Sequence, residues 1–417
     1  MQKKAQGLLA LLSVLADHEM VLNKRYFFTL LYESEHLENF LDDHGARHNL
    51  HWLYFAELVA SARNFALAGF HLSHILDRYT DYLGGENDPL RRDFTHKVHT
   101  TLDYFAAVLS RFHDEMVAAS GTEEINLATA LPHGADWRLA VSPQLPYTLT
   151  GDALDGEAER MIGICQSYRR VMKRYREKNL NRTLKTKAMV QLVPTVLSET
   201  VTASFEADLH TIQSEYDTFI RGGAFEKSHP DAPMLRGLTA IPMHLFEALR
   251  WLIHFYERHE NEIRKSEVKA KISELVNDEE LYDVIVGFGL KYIARYLAEG
   301  VKLAERILTS FVAPVQITLP TPKPQGFHAR PGTYVSLIVQ EHGTDLAMLV
   351  NGERFDCRSV LEILEAGGLL ADLNANEVVF EGDRRALDDL KILADHNYCE
   401  DADIPQELNY LRILRNL

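Results

Sequence analysis

A chain of 417 residues is longer than one hydrophobic core usually serves, so two or three domains are expected. Its 46% apolar and 25% charged residues are those of an ordinary globular protein, and 44 Lys and Arg against 60 Asp and Glu leave a net charge of −16. That balance argues against nucleic acid or an anionic membrane surface as the main partner, and no stretch approaches the ~20 apolar residues of a membrane span.

The chain opens with Lys3 and Lys4 ahead of the apolar run Gly7 to Ala16, which imitates a short export signal. Asp17 is then followed by more helical pattern, so the segment reads as a first helix and the protein as cytoplasmic. Three cysteines, Cys165, Cys357 and Cys399, are odd in number and far apart, which fits buried thiols in a reducing compartment. From residue 7 to about 310, apolar residues recur at three- and four-residue steps. Helices are expected near 19–42, 50–79, 88–118, 153–178, 184–222, 235–264 and 278–311. Turn chemistry separates them at Gly84-Gly85, in the Pro132/Pro143/Pro146 stretch, at Gly222-Gly223 with Pro230 and Pro233, and at Asn277-Asp278. Such a run implies a large all-α bundle over 1–311.

This helical region carries 16 of the 19 histidines, several at ligand spacing. His44, His48 and His51, the pair His71 and His74, and the pair His96 and His99 fall three or four residues apart. Glu33 with His36, and the stretch 244–257, place carboxylates three residues from histidines. Pairs of this kind hold zinc or paired irons in helical bundles, and helices rich in histidine also produce them by chance. One Glu-x-x-His motif, Glu33 with His36, is present without a clean second. A basic run at 169–187 holds nine Lys and Arg in 19 residues and reads as a solvated helix face or a dock for an acidic module.

Composition changes at 312. Five of the 14 prolines lie between Pro314 and Pro331, and the pattern then alternates. "VQITL" (315–319) reads as a strand, "DLAMLVNGERFDC" (345–357) as a hairpin around an Asn-Gly turn, and "NEVVFEG" (376–382) as a further strand. Helical pieces fall at 331–342, 359–366 and 384–396. This β-α-β-β-α-β-α order implies a small α+β open-faced sandwich over 312–398. A short amphipathic helix at 407–414 lies in the tail, 399–417.

Within this region "GFHARPG" (326–332) places a titratable ring, a guanidinium and a helix start together. Pro331 is acceptable only in a first helical turn. The unpaired amides there and the helix dipole favour an anion, and Arg330 adds a planar donor that grips phosphate. Gly326 lets the chain turn so that the His328 ring lies at the helix mouth. With Ala329, Pro331 and Gly332 completing the helix start, His328 is arranged either to carry a phosphoryl group covalently or simply to cap a helix.

From about 314 to 396 the chain resembles the HPr family, the histidine phosphocarrier proteins of the bacterial sugar phosphotransferase system. "GFHARP" (326–331) is similar to that family's phosphorylation motif, and "NGERFDCRSVLEIL" (351–364) to its hairpin and second helix. The resemblance implies that His328 is the phosphoryl acceptor and Arg330 its partner. It also places Ser359 at the position some members phosphorylate for regulation, although the S-x-x-E spacing of Ser359 and Glu362 equally describes a helix capping box. The implied partners are an Enzyme I-like phosphoryl donor and a downstream phosphoryl acceptor or regulated protein, with no nucleic acid, no membrane insertion, and neither cofactor nor metal on the carrier itself. Three features depart from the family. The loop 320–325 is long and proline-rich, Gly332 stands where alanine is common, and residues 317–400 carry seven basic against fourteen acidic side chains, a net −7. Glu362 and Glu365 make acidic a face that is usually apolar and basic. Two other readings stay open: an HPr-fold binding module without onward transfer, and a metal-binding helical enzyme with an HPr-like appendage.

Overall fold

A computed structural model describes residues 2–16, 22–84, 89–121, 156–180, 192–259, 267–312, 314–401 and 403–415. The chain divides into two compact units. One comprises Met1–Ala153 with Val171–Gly300, and the other Leu154–Arg170 with Val301–Leu417. The division thus falls some ten residues before the compositional change at 312, and the second unit takes in a segment from the helical half together with the C-terminal tail.

The described helices of the first half are α1 (Gln2–Ser13), α2 (Lys24–Asp43), α3 (Leu50–Leu83), α4 (Pro89–Gly121), α5 (Glu157–Glu177), α6 (Glu199–Phe219), α7 (Ala224–Ser228), α8 (Ala232–His259), α9 (Glu267–Glu274), α10 (Asp278–Tyr282) and α11 (Lys291–Ser310). Short polar side chains start α2, α3, α6 and α10. Asn23 accepts from Tyr26 N–H at 2.9 Å, Asn49 from His51 N–H at 2.9 Å, and Ser198 from Val201 N–H at 3.1 Å. In the first unit α3 packs against α2, α4 and α8, and α6 against α8. Phe65 of α3 sits at the centre of this core, edge-on to Phe105, Phe112 and Phe255 at 5.3, 5.8 and 5.4 Å between ring centroids. No described helix is long and apolar enough to cross a membrane.

One expected helix is shorter in the structure. The sequence pattern runs through 184–222, yet α6 begins at Glu199 and Val193–Val196 form turns. Pro194 lacks the N–H a helix needs, and Ser198 caps the one that follows; residues 184–191 lie outside the described residues. Between α10 and α11, Asp283–Leu290 winds as a π-helix, an irregularity that apolar periodicity does not announce. The Pro132/Pro143/Pro146 stretch also lies outside the described residues.

The second unit contains β1 (Pro314–Pro320), α12 (Ala329–His342), β2 (Leu346–Val350), β3 (Glu353–Asp356), α13 (Val360–Asp372), β4 (Glu377–Asp383), α14 (Arg384–Asp395) and α15 (Tyr410–Arg415). Its four strands form an antiparallel sheet in the order β1-β4-β2-β3. Asn351 and Gly352, with φ of 51° and 84°, make the two-residue turn that the Asn-Gly pair predicts. Pairing brings Leu319 opposite Val378, and Met348 opposite both Phe355 and Phe380, so these side chains share one face. They join Val335, Ile338, Ile363, Leu370, Leu387 and Leu390 from the three helices in a single core. Tyr398, Cys399, Ile404, Leu408 and Leu411 belong to the same core, so the tail is part of this unit rather than an appendage. All three cysteines are free and buried, and burial pushes the Cys165 thiol up to about 12, which keeps it an inert thiol.

The basic run at 169–187 is not merely solvated. Within the second unit, Arg169 donates to the carbonyls of Gln340 and Glu341 at 2.8 and 3.1 Å, and Arg170 donates to the Glu341 carboxylate at 2.8 Å. Arg169 thus meets the last carbonyls of α12, where the helix dipole favours positive charge, and Arg170 adds an ion pair beside them. Arg174, in the first unit, pairs with Asp208 at 2.7 Å and lies 4.0 Å over the Phe205 ring. Residues 181–187 of the run lie outside the described residues.

Candidate functional site

His328 is held by what precedes it. Gly326 has φ of +65°, a left-handed conformation that costs glycine nothing and turns the chain into the helix start. Phe327 is buried, edge-on to Tyr398 at 5.1 Å and to Phe380 at 6.1 Å. Its carbonyl passes so close to Gly367 of α13 that a methyl group there would lie 2.6 Å from Phe327 O and 2.9 Å from Phe327 Cβ. The loop ahead is tied down by Asn397, whose side chain accepts from Lys323 N–H at 2.9 Å and donates to Lys323 O at 2.8 Å. Anchored backbone on both sides of the turn makes the ring's position a property of the core.

The ring is the N-cap of α12. Its Nδ1 accepts from Arg330 N–H at 3.4 Å, and its backbone carbonyl accepts from Gly332 N–H at 3.0 Å. Its Nε2 lies 2.9 Å from Glu400 Oε2. A carboxylate accepts only, so Nε2 carries the proton and Nδ1 keeps its lone pair toward the helix start. Glu400 is largely enclosed, with its side chain 10% exposed, and its other oxygen, Oε1, is buried without a hydrogen-bond partner. Arg330 is exposed and donates to Glu400 O at 3.3 Å, so its guanidinium is tied to the residue that holds the His328 ring.

Glu400 is the partner of His328 that the linear pattern does not reveal. It is 72 residues from His328 and is delivered by three consecutive non-glycine residues, Asn397, Tyr398 and Cys399, with φ of 48°, 53° and 59°. Left-handed backbone costs L-residues roughly 1–2 kcal/mol each, and it persists only where surrounding packing imposes it. Here Tyr398 and Cys399 are core residues and Tyr398 O–H donates to Pro320 O at 2.9 Å. The asparagine at the start of this turn is the faint signal, since asparagine tolerates that conformation best.

Of the residues expected around His328, Ala329 opens the helix and Pro331 has no amide N–H, while the amides of Arg330 and Gly332 both bond His328 itself, at Nδ1 and at O. The charged group at this helix start is the Arg330 guanidinium. Gly332 is spacious: an added methyl would meet Ile363 and Val360 at 3.5 Å, ordinary contact. Ser359 caps α13 and accepts from Glu362 N–H at 3.3 Å. The Glu362 carboxylate reaches back to Asp356 N–H at 2.7 Å, not to the Ser359 N–H of a strict capping box. Ser359→Ala is expected to lower the unfolding free energy of this unit by about 1 kcal/mol in urea titrations. Ser359→Asp should retain the cap, because aspartate accepts the same bond and suits a helix start.

The histidines at ligand spacing mostly find other partners. His44 caps the end of α2 by bonding Phe40 O at 2.8 Å, and His36 accepts from Lys4 at 2.9 Å. Nothing brings Glu33 and His36 into a three-ligand group; among the described residues the cluster with such spacing is His71, His244 and Glu247. No family model, curated protein or solved structure matches the chain.

Proposed function

We propose that the protein is a phosphocarrier or regulatory component of a phosphotransferase-type system, reversibly phosphorylated on His328 Nδ1 in an HPr-like C-terminal unit. The helical unit would serve as regulator or output. The observation that carries this reading is the pair of contacts on one ring: Nδ1 at the mouth of α12 and Nε2–H on the Glu400 carboxylate. The β-α-β-β-α-β-α order with sheet order β1-β4-β2-β3 agrees with it.

In transfer, the Nδ1 lone pair attacks phosphorus in line, and the bond from phosphorus to the donor's leaving atom breaks with its electrons. No proton leaves the acceptor. The ring gains positive character, which the Glu400 carboxylate stabilises through Nε2–H, while Arg330 swings onto the equatorial oxygens together with the helix-start amides. Release onto a downstream acceptor runs the same steps backwards. The donor would be an Enzyme I-like protein and the site cytoplasmic. The acidic balance of the unit supports a second reading, an HPr-fold binding module whose phosphohistidine is not discharged.

Intact mass at neutral pH tests the acceptor chemistry. Incubation with phosphoenolpyruvate and Enzyme I, or with phosphoramidate as a small chemical donor, should add one group of ~80 Da that is lost in acid. No addition from either donor would overturn the proposal. Loading that no added acceptor removes would favour the binding module.

A further inference from the structure

We infer that the helical unit holds a divalent transition metal, zinc in the simplest case, between α3 and α8 on His71, His244 and Glu247. The ligand atoms of these three residues lie within 4.8 Å of one another. His71 Nδ1 is 2.8 Å and His244 Nδ1 is 2.6 Å from the same oxygen, Glu247 Oε2. All three side chains are partly shielded, with 14% exposure for each histidine and 26% for the glutamate. The two imidazoles are nearly parallel, at 26° and 5.8 Å between centroids, so both present the same nitrogen to one point.

Protons account for these two contacts unequally. A proton on His244 Nδ1 explains its bond to Glu247. His71 Nδ1, only 0.2 Å farther from the same oxygen, is buried and makes no hydrogen bond of acceptable geometry. A buried ring nitrogen pressed against a carboxylate without a usable bond is costly as a polar contact. It is favourable as a ligand, because a metal replaces both protons and accepts both lone pairs. At bond lengths of ~2.0–2.1 Å, tetrahedral zinc sets its ligand atoms ~3.3 Å apart. The nitrogens of His71 and His244 therefore retreat from the oxygen by about 0.5 and about 0.7 Å, and the ligand atoms, now within 4.8 Å of one another, draw together to that spacing.

The surroundings support the ligands. His244 and Glu247 are three residues apart on α8 and so occupy one face of that helix. His74, one turn beyond His71 on α3, lies 4.5 Å from the His244 ring, edge-on. Its Nδ1 faces Lys24 Nζ at 2.7 Å and its Nε2 faces Tyr82 O–H at 3.1 Å. The Lys24 ammonium only donates, so His74 accepts at Nδ1 and donates from Nε2, and it packs against His244 without competing for the metal. Two imidazoles and one carboxylate leave at least one coordination position open, the arrangement of a reactive rather than a purely structural zinc site.

The test uses the full chain without an affinity tag, stripped with a chelator and dialysed. Calorimetric titration with Zn²⁺ should show one equivalent bound more tightly than any other, and Co²⁺ should give the intense visible absorption of a tetrahedral site. His71→Asn and His244→Asn should each weaken that binding at least tenfold, while His96→Ala with His99→Ala, exposed on α4, leaves it unchanged. Zinc should also raise the melting temperature of the unmodified chain, a readout that does not depend on any variant folding. Absence of a single tight equivalent in the unmodified chain would overturn the inference. So would undiminished binding in His71→Asn and His244→Asn.

Discussion

Phosphoryl loading should vanish in His328→Ala and fall 10- to 100-fold in Glu400→Ala, with Glu400→Gln between that variant and the unmodified chain. The order follows from what each change removes. Alanine at 328 removes the nucleophile. Alanine at 400 frees the ring to exchange its proton between nitrogens and strips the negative charge that stabilises the loaded imidazolium; losses of an orienting partner of this kind typically cost one to two powers of ten. Glutamine keeps an oxygen that accepts from Nε2–H and so keeps the tautomer, losing only the charge. The rate of mass gain from phosphoramidate measures all three. Nitrogen shifts of the His328 ring should separate tautomer from charge, with the Nε2–H form retained in Glu400→Gln and mixed in Glu400→Ala. Loading of Glu400→Ala at the unmodified rate would show that the carboxylate is only packing.

Two adjacent glycines on α13 should respond to alanine with opposite signs. At Gly367 the new methyl would meet Phe327 O at 2.6 Å and Phe327 Cβ at 2.9 Å. Backbone on that side cannot yield as a flexible side-chain tip would, so the variant is expected to lose about 1–3 kcal/mol through overpacking. Phe327 would be displaced, and His328 with it, so loading should slow in the same variant. At Gly368 nothing lies within 4 Å of the new methyl, and alanine should gain up to about 1 kcal/mol from helix propensity with loading unchanged. Urea titration of the pair reads the difference directly. Equal stabilities would mean that Gly367 does not govern the approach of Phe327 to the helix.

The elements that sequence reasoning recovers best are those written in local chemistry. Asn351-Gly352 predicts its hairpin because such a pair accepts two positive φ angles in succession at little cost. Pro331 predicts the start of α12, and Gly326 the turn that aims His328. Ser359 reads correctly as a cap, although its glutamate reaches a different amide. Where a local signal was overridden, as at 193–198, one proline and one serine outweighed apolar spacing that otherwise looked helical. The site is only half legible for a different reason. His328 and Arg330 sit in one short motif, whereas Glu400 arrives through a left-handed turn built without glycine. The grouping of His71 with His244 and Glu247 depends on how α3 and α8 pack, and the same histidine, paired with His74 by spacing alone, pointed along one helix instead. Likewise nothing in a basic run says that its first two arginines will finish the end of α12.

The left-handed turn at Asn397–Cys399 also sets a schedule for the chain's biogenesis. His328 and the carboxylate on its Nε2 are separated by 72 residues, and α12, α13 and α14 with β2, β3 and β4 lie between them. A nascent chain that has delivered the GFHARP motif therefore carries a histidine whose ring and proton that carboxylate does not yet hold. That hold appears only when residue 400 has emerged and Tyr398 has seated in the core. If His328 carries a phosphoryl group as proposed, half-made or unravelled copies should load more slowly than folded ones.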